Sequence, residues 1–201
     1  MNKSFLEAAA LRRSIYSLGK TRIIPHSRVE EIVKTAVTHV PSPFNSQSAR
    51  TVLLFDEQSS ALWNIVKEEL KKVVPEKDYG KTVEKIDSFN AGWGTVLFFE
   101  DQKTLQSLAD RFPLYKDNFP VWSLQSNGML EYVIWTALEN EGLGASLQHY
   151  NPLIDDAVKR RWNLSADWKL LAQMPFGSVA SPAGEKDFLP VEEKLVIPQY
   201  R

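Results

Sequence analysis

The chain has 201 residues and no cysteine, which excludes disulfides, thiolate nucleophiles, zinc–cysteine centres and iron–sulfur clusters, because each needs a sulfur ligand. Three histidines, His26, His39 and His149, are too scattered to read as a metal site, and 24 Lys plus Arg against 25 Asp plus Glu leave a formal charge of -1. A balanced chain has no global field to draw it onto nucleic acid or anionic lipid, so any chemistry must use oxygen and nitrogen groups or a borrowed cofactor.

The N-terminal MNKSFLEAAALRRS resembles a secretory signal only superficially. Glu7 interrupts its short apolar stretch, and Arg12 and Arg13 stand in place of a small-residue cleavage site, so an amphipathic first helix is expected. Ser27 with Glu30 three residues later makes a capping-box pattern, and Val29, Ile32, Val33, Ala36, Val37 and Val40 then share one helical face up to Pro41. Thr51–Phe55 and Thr95–Phe99 are short continuous apolar runs, as buried central strands tend to be. Between them a helix is predicted over Ser59–Val74, burying Leu62, Ile65, Val66, Leu70 and Val73. The longest predicted helix covers Trp122–Asn140, with Leu130, Val133, Ile134, Ala137 and Leu138 as its apolar stripe and Gly142 and Gly144 as its C-terminal stop. Strands follow at Ala145–Leu147 and Lys169–Phe176, and the tail from Phe188 to Arg201, with Pro190 and Pro198, reads as extended. Its Leu195, Val196 and Ile197 need cover, which a partner subunit would supply. Paired helical signals between strands argue for an α+β class rather than a doubly wound sheet. No linker divides residues 1–201, and no apolar run approaches the roughly 20 residues of a membrane span. A single soluble, cytoplasmic domain is expected.

Three polar segments stand out. Arg12-Arg13-Ser14 offers two guanidiniums and a hydroxyl, a set that serves an anion; the alternative is a solvated helix end, where cations already complement the dipole. Ser42, Asn45, Ser46 and Gln47, in PSPFNSQS, offer amides that match the edge of a heteroaromatic ring, or else form an ordinary turn. Leu147-Gln148-His149 lies within the GLGASLQHYNP string, in which the glycines complete no dinucleotide fingerprint. Aromatic residues Phe112, Tyr115 and Phe119 precede the long helix in a Pro-containing segment. They suggest a substrate lid, with Phe119 facing the substrate, although core packing is the competing reading and the one favoured for Trp135.

Taken in order, RRSIYSL, PSPFNSQSAR, EGLGASLQHYNP and FGSVASPAGEKDFLPVEE resemble the nitroreductase family over nearly the whole chain. They are most similar to the small subgroup that includes the yeast fatty-acid-repression-mutant protein and bacterial copper-induced nitroreductases. The resemblance implies a mostly antiparallel sheet flanked by helices and a homodimer with a long interface helix and an extended C-terminal arm. It also implies one FMN at each of two sites between the subunits. By the same resemblance Arg12, Arg13 and Ser14 meet the FMN phosphate, the ribityl chain and the pyrimidine side of the ring. Lys186 matches the phosphate-binding lysine of the family motif. Leu147, Gln148 and His149 lie against one face of the isoalloxazine, and Ser42, Asn45, Ser46 and Gln47 reach it from the partner subunit. Arg13 and Gln47 are the candidates for stabilising negative charge near N1–C2. Tyr16 and Phe188 stand where many members carry cations, with Arg13, Lys20, Arg22 or Arg201 as possible replacements.

The implied activity is ping-pong hydride transfer from NAD(P)H to flavin N5 and then to a small nitroaromatic or quinone-like acceptor, in which FMN carries the chemistry and no protein group is a catalytic nucleophile. A flavin-binding regulator or sensor of lipid or redox metabolism with little turnover, and a structural dimer without flavin, remain alternatives.

Overall fold

The computed structural model describes residues 3–198. In chain order it comprises α1 (Phe5–Leu11), β1 (Leu18–Gly19), α2 (His26–His39), β2 (Ala49–Phe55), α3 (Asp56–Lys71), α4 (Glu76–Asn90), β3 (Gly94–Asp101), α5 (Gln102–Arg111), α6 (Phe119–Asn140), β4 (Leu143–Ala145), α7 (Asp155–Trp162) and β5 (Trp168–Val179). The strands run in the order β1-β5-β3-β2, with β4 also on β5. Every strand pairing is antiparallel; the parallel contact is an isolated bridge between Ser14 and Ala145. This is the expected α+β, mostly antiparallel arrangement.

The continuous apolar run in β3 has a simple cause. Successive strand side chains point to opposite faces, and here both faces are covered. Val96 and Phe98 enter a core with Val29, Val33 and Ala36 of α2 and Leu130, Ile134 and Leu138 of α6. Leu97 and Phe99 enter the opposite core with Leu62, Trp63 and Val66 of α3, Ile86 and Phe89 of α4 and Val158 of α7. A polar group inside that second core is satisfied: the Thr95 hydroxyl meets Ser59 Oγ at 2.7 Å and accepts from Trp63 Nε1 at 3.0 Å.

Several boundaries move. The expected Ser27 cap does not form, because α2 begins one residue earlier, at His26, and puts Ser27 inside the first turn. Pro25 stands at the cap position instead, where its missing N–H costs nothing. The reciprocated capping box is at the other S-x-x-E, where Glu7 N donates to Ser4 Oγ and Ser4 N donates to Glu7 Oε2 at 2.7 Å. Helix α3 is shifted toward its N-terminus relative to Ser59–Val74, and α4 and α5 had no predicted counterpart. Gly142 does terminate α6, at φ 81°. Gly144 serves differently: it sits in β4 opposite Gly177, and the strand expected at Ala145–Leu147 is observed at Leu143–Ala145 because the ladder ends at the Ala145–Phe176 pair. The chain regains β5 only at the Gln148–Gln173 bridge.

Helix α6 is apolar on more than one face. Its core side is buried, while Val121, Leu124, Met129 and Tyr132 are exposed. Phe5, Leu6 and Leu11 of α1 are also uncovered. Beyond β5 the tail has one short 3-10 turn, Val191–Glu193, and its Leu195, Val196 and Ile197 lie open to solvent. Among the described residues no helix is long and apolar enough to cross a membrane.

Candidate functional site

Helix α1 ends at Arg12, whose extended backbone (φ -55°, ψ 123°) turns the chain along the end of α6 toward β4. Ser14 bridges Ala145, and Ile15 N donates to Ala145 O at 2.9 Å. Two segments separated by some 130 residues of sequence therefore meet here, the RRS turn and the strand leading to Leu147-Gln148-His149. The contact depends on Gly144: a Cβ there would lie 2.9 Å from Ile15 Cβ. Gly144→Ala should therefore push Ile15 away and the RRS turn with it. We expect a loss of about 1–2 kcal/mol in chemical denaturation, together with weaker flavin binding; wild-type stability in the variant would show that Ile15 is not tightly held.

Arg12, Arg13, Ser14 and Lys186 line one cavity of about 430 Å³, together with Tyr16, Ser17 and the Ser181–Gly184 turn that follows β5. Its volume falls within the usual range for small-molecule sites. Among the described residues no ion pair engages Arg12, Arg13 or Lys186, whereas Lys3, Arg22, Arg28 and Arg50 each meet a carboxylate. Arg12 Nε is buried without a hydrogen-bond partner. Three uncompensated cations and three serine hydroxyls form a cradle matched to a phosphate dianion. The residues present thus fit the phosphate end of FMN. Of the proposed replacement cations, Arg13 is in the cradle, Arg22 is paired with Asp56 at 2.9 Å beside a separate hollow, Lys20 does not line the cavity, and Arg201 lies outside the described residues.

The strand-end residues divide. Gln148 is buried, pairs through its backbone with Gln173 (2.8 and 2.9 Å) and donates from Nε2 to Ser146 Oγ at 3.1 Å. Gln173 in turn accepts from Tyr150 N. Leu147 is half-buried and His149 exposed, so those two side chains retain free surface.

Ser42, Asn45, Ser46 and Gln47 form a strained loop. Phe44, Asn45 and Gln47 all have positive φ (55°, 51° and 47°), which non-glycine residues adopt only when their surroundings impose it. The restraints are visible: Gln47 N donates to Ser42 Oγ at 2.9 Å, Ser126 Oγ of α6 donates to Pro41 O at 2.8 Å, and Arg50 Nη1 donates to Gln47 O. An ordinary turn does not require three such residues. The loop does not share a cavity with Arg12 and Lys186 in this chain; Ser42 and Gln47 line a second hollow of about 330 Å³ with Arg50, Ser126, Leu130 and Trp168. Ser126 lies nine residues from Trp135, which contacts Arg12, and that separation is about 13 Å along the helix.

Beneath the loop, Glu100 is almost wholly buried. Its carboxyl is pushed up from the ordinary range by desolvation, against hydrogen bonds from Ser48 and Asn127 and the charge of Arg50. Phe44 packs on Phe112, Tyr115, Phe119 and Trp122, with ring centroids 4.8–6.4 Å apart. Phe119 has no exposed surface, so its ring supports this cluster from below and does not itself face a ligand; the accessible rings are Phe44 and Tyr115. Phe44 was not anticipated, although an aromatic amid Pro, Ser and Asn was its signal.

Comparison with known proteins agrees with this geometry. The model of the Nitroreductase family matches residues 9–178. The putative nitroreductase HBN1 of Saccharomyces cerevisiae is 31% identical over 191 residues, covering 92% of this chain and 93% of that protein. The structure is similar to nitroreductase CinD from Lactococcus lactis in complex with chloramphenicol, with a TM-score of 0.89 and 44% identity over 98% of this chain and 100% of that one. A likeness of fold extends to a putative nitroreductase in complex with FMN from Desulfovibrio desulfuricans, with a TM-score of 0.69 and 17% identity over 100% of both chains. With its sheet order, its RRS turn set beside β4 and a family match across most of its length, the chain belongs to the nitroreductase family.

Proposed function

We propose that the protein is an FMN-dependent NAD(P)H oxidoreductase, working in the cytoplasm as a homodimer in which residues 1–201 form one FMN-binding domain. Bound FMN would supply the two-electron chemistry of a ping-pong transfer of hydride from NAD(P)H to a small nitroaromatic or quinone-like acceptor. The observation that carries this reading is the convergence of Arg12, Arg13, Ser14 and Lys186 on one cavity with no carboxylate among them. Arg12 and Lys186 bind and orient the phosphate end and Arg13 serves the ring side, while Leu147 and His149 offer accessible surface at the end of the strand that runs beside Ser14.

The loop of Ser42, Asn45, Ser46 and Gln47 is held rigid but faces a different hollow from the cradle in its own chain, which supports its serving the site of a second copy. The uncovered apolar residues of α1, α6 and the tail give that second copy its contact surface. Phe44 and Tyr115, carried on the same loop and on the segment before α6, would bring aromatic surface to the acceptor side, with Phe119 as their support. Support for the acceptor class comes from CinD, which has been crystallised with chloramphenicol and with 4-nitrophenol.

The test is direct. The purified protein should be a yellow dimer, and its apoprotein should take up one FMN per chain. It should then oxidise NADH or NADPH when a nitroaromatic acceptor is added. A colourless protein that does not bind added FMN would overturn the proposal, and a yellow protein without turnover would be a flavin-binding sensor instead.

A further inference from the structure

Cations in this chain are held in two ways. Arg22, Arg28, Arg50 and Lys3 are held by carboxylates at 2.6–2.9 Å. Two cations of the cradle are held by rings. The Arg12 guanidinium carbon lies 4.4 Å from the Trp135 ring centroid and 5.8 Å from that of Tyr132, while Lys186 Nζ lies 5.1 Å from the Phe188 ring centroid. Two carboxylates near the end of α6 are occupied by other cations, Glu139 by Lys3 and Glu141 by Arg28.

The difference has a chemical consequence. A carboxylate fixes a cation, but it cancels the charge and consumes N–H donors. An aromatic face fixes the cation through its quadrupole and takes neither the net charge nor the in-plane donors. Arg12 accordingly retains a buried, unpartnered Nε. A group in that state is an exception among buried donors, and a ligand bearing several acceptor oxygens would satisfy it.

We propose that Trp135 and Phe188 are positioning residues for the anionic end of the ligand: they hold Arg12 and Lys186 in place while leaving both fully charged and free to donate to a phosphate. The inference rests on the FMN reading above and deepens it. Neither ring touches the phosphate; each acts through the cation it carries. Discrimination should therefore fall on the phosphate and not on the isoalloxazine.

Apoprotein is titrated with FMN and, separately, with riboflavin, which lacks the phosphate, and binding is followed by flavin fluorescence. Wild type should prefer FMN. Trp135→Leu should weaken FMN about tenfold and the more exposed Phe188→Leu about two- to fivefold, with riboflavin affinity unchanged in both; Trp135→Phe should retain most of the wild-type preference. Equal losses for the two ligands, or no loss of FMN affinity, would overturn the inference. Phe188 is 75% exposed, so its replacement leaves the core intact and keeps the test open should Trp135→Leu fold poorly. A wild-type protein that binds neither flavin overturns the FMN reading itself, and this inference with it.

Discussion

Arg13→Ala is expected to weaken FMN and riboflavin alike, by about 10- to 100-fold, with little change in thermal stability. The magnitude is that of removing a charge-assisted hydrogen bond, about 1.5–3 kcal/mol. Its sparing of the fold follows from surroundings: Arg13 is half-buried and, among the described residues, makes no ion pair and no side-chain hydrogen bond whose loss would be felt on unfolding. Its effect on both ligands follows from chain direction. Side chains of successive extended residues diverge, and Arg12 is committed to Trp135 on α6. Arg13 is next to Ser14, which bridges β4 at Ala145 on the way to Leu147–His149. On the proposed FMN reading, Arg13 would then serve the ring side of the cradle, and Arg12 and Lys186 the phosphate end. Titration of the apoprotein with both flavins separates the roles. Loss of FMN affinity alone would move Arg13 to the phosphate, and no loss for either flavin would remove it from the site.

How much of this was legible in the sequence varied with the physical scale of each feature. Strong periodicity located α2, α3 and α6, because apolar faces at helical spacing have no cheaper arrangement than burial. Continuous apolar runs marked β2 and β3 for the same reason. Helix α4 was missed because Glu76–Asn90 fully buries only Ile86 and Phe89, too few positions to show a stripe amid ten polar or charged neighbours. The Ser27 cap was misplaced because α2 starts one residue earlier, at His26 with Pro25 at the cap position, and an S-x-x-E pattern alone does not choose where a helix starts. At the site, the order of motifs identified Arg12, Arg13, Ser14 and Lys186, and the fold brings all four together. The apparent deficit of cations at Tyr16 and Phe188 took on another meaning in three dimensions: Phe188 lies against Lys186, a relation between two residues that no charge count contains. Phe119 shows the opposite limit, since an aromatic before a helix reads the same whether it faces a ligand or, as here, is buried against three other rings.

Glu131→Gln is expected to stabilise the protein above neutral pH and to flatten its stability profile between about pH 5 and 7. Burial on α6 pushes the Glu131 carboxyl up to about 7, and among the described residues no ion pair offsets that desolvation. The sign follows from proton binding. An unfolded glutamate releases its proton near pH 4.5, whereas the folded one keeps it until about pH 7, so between those values the native state binds the extra proton. The stabilisation is complete below about pH 4.5 and is lost as pH rises through 7, at roughly 1 kcal/mol per pH unit. Glutamine keeps the shape of the protonated acid and cannot ionise. The variant should therefore match wild type near pH 4.5 and exceed it by about 1–3 kcal/mol at pH 8, or about 3–9 °C in Tm for a chain of this size. Some slope will remain, because Glu100 and Asp155 are shifted in the same direction by burial. Denaturation curves from pH 4.5 to 8 at one fixed protein concentration provide the check, the fixed concentration excluding mass action between subunits. Parallel profiles for wild type and variant would mean that Glu131 ionises freely in the fold. A difference confined to the alkaline side would instead mark α6 as a helix that carries a neutral carboxylic acid one turn from the ring that steadies Arg12.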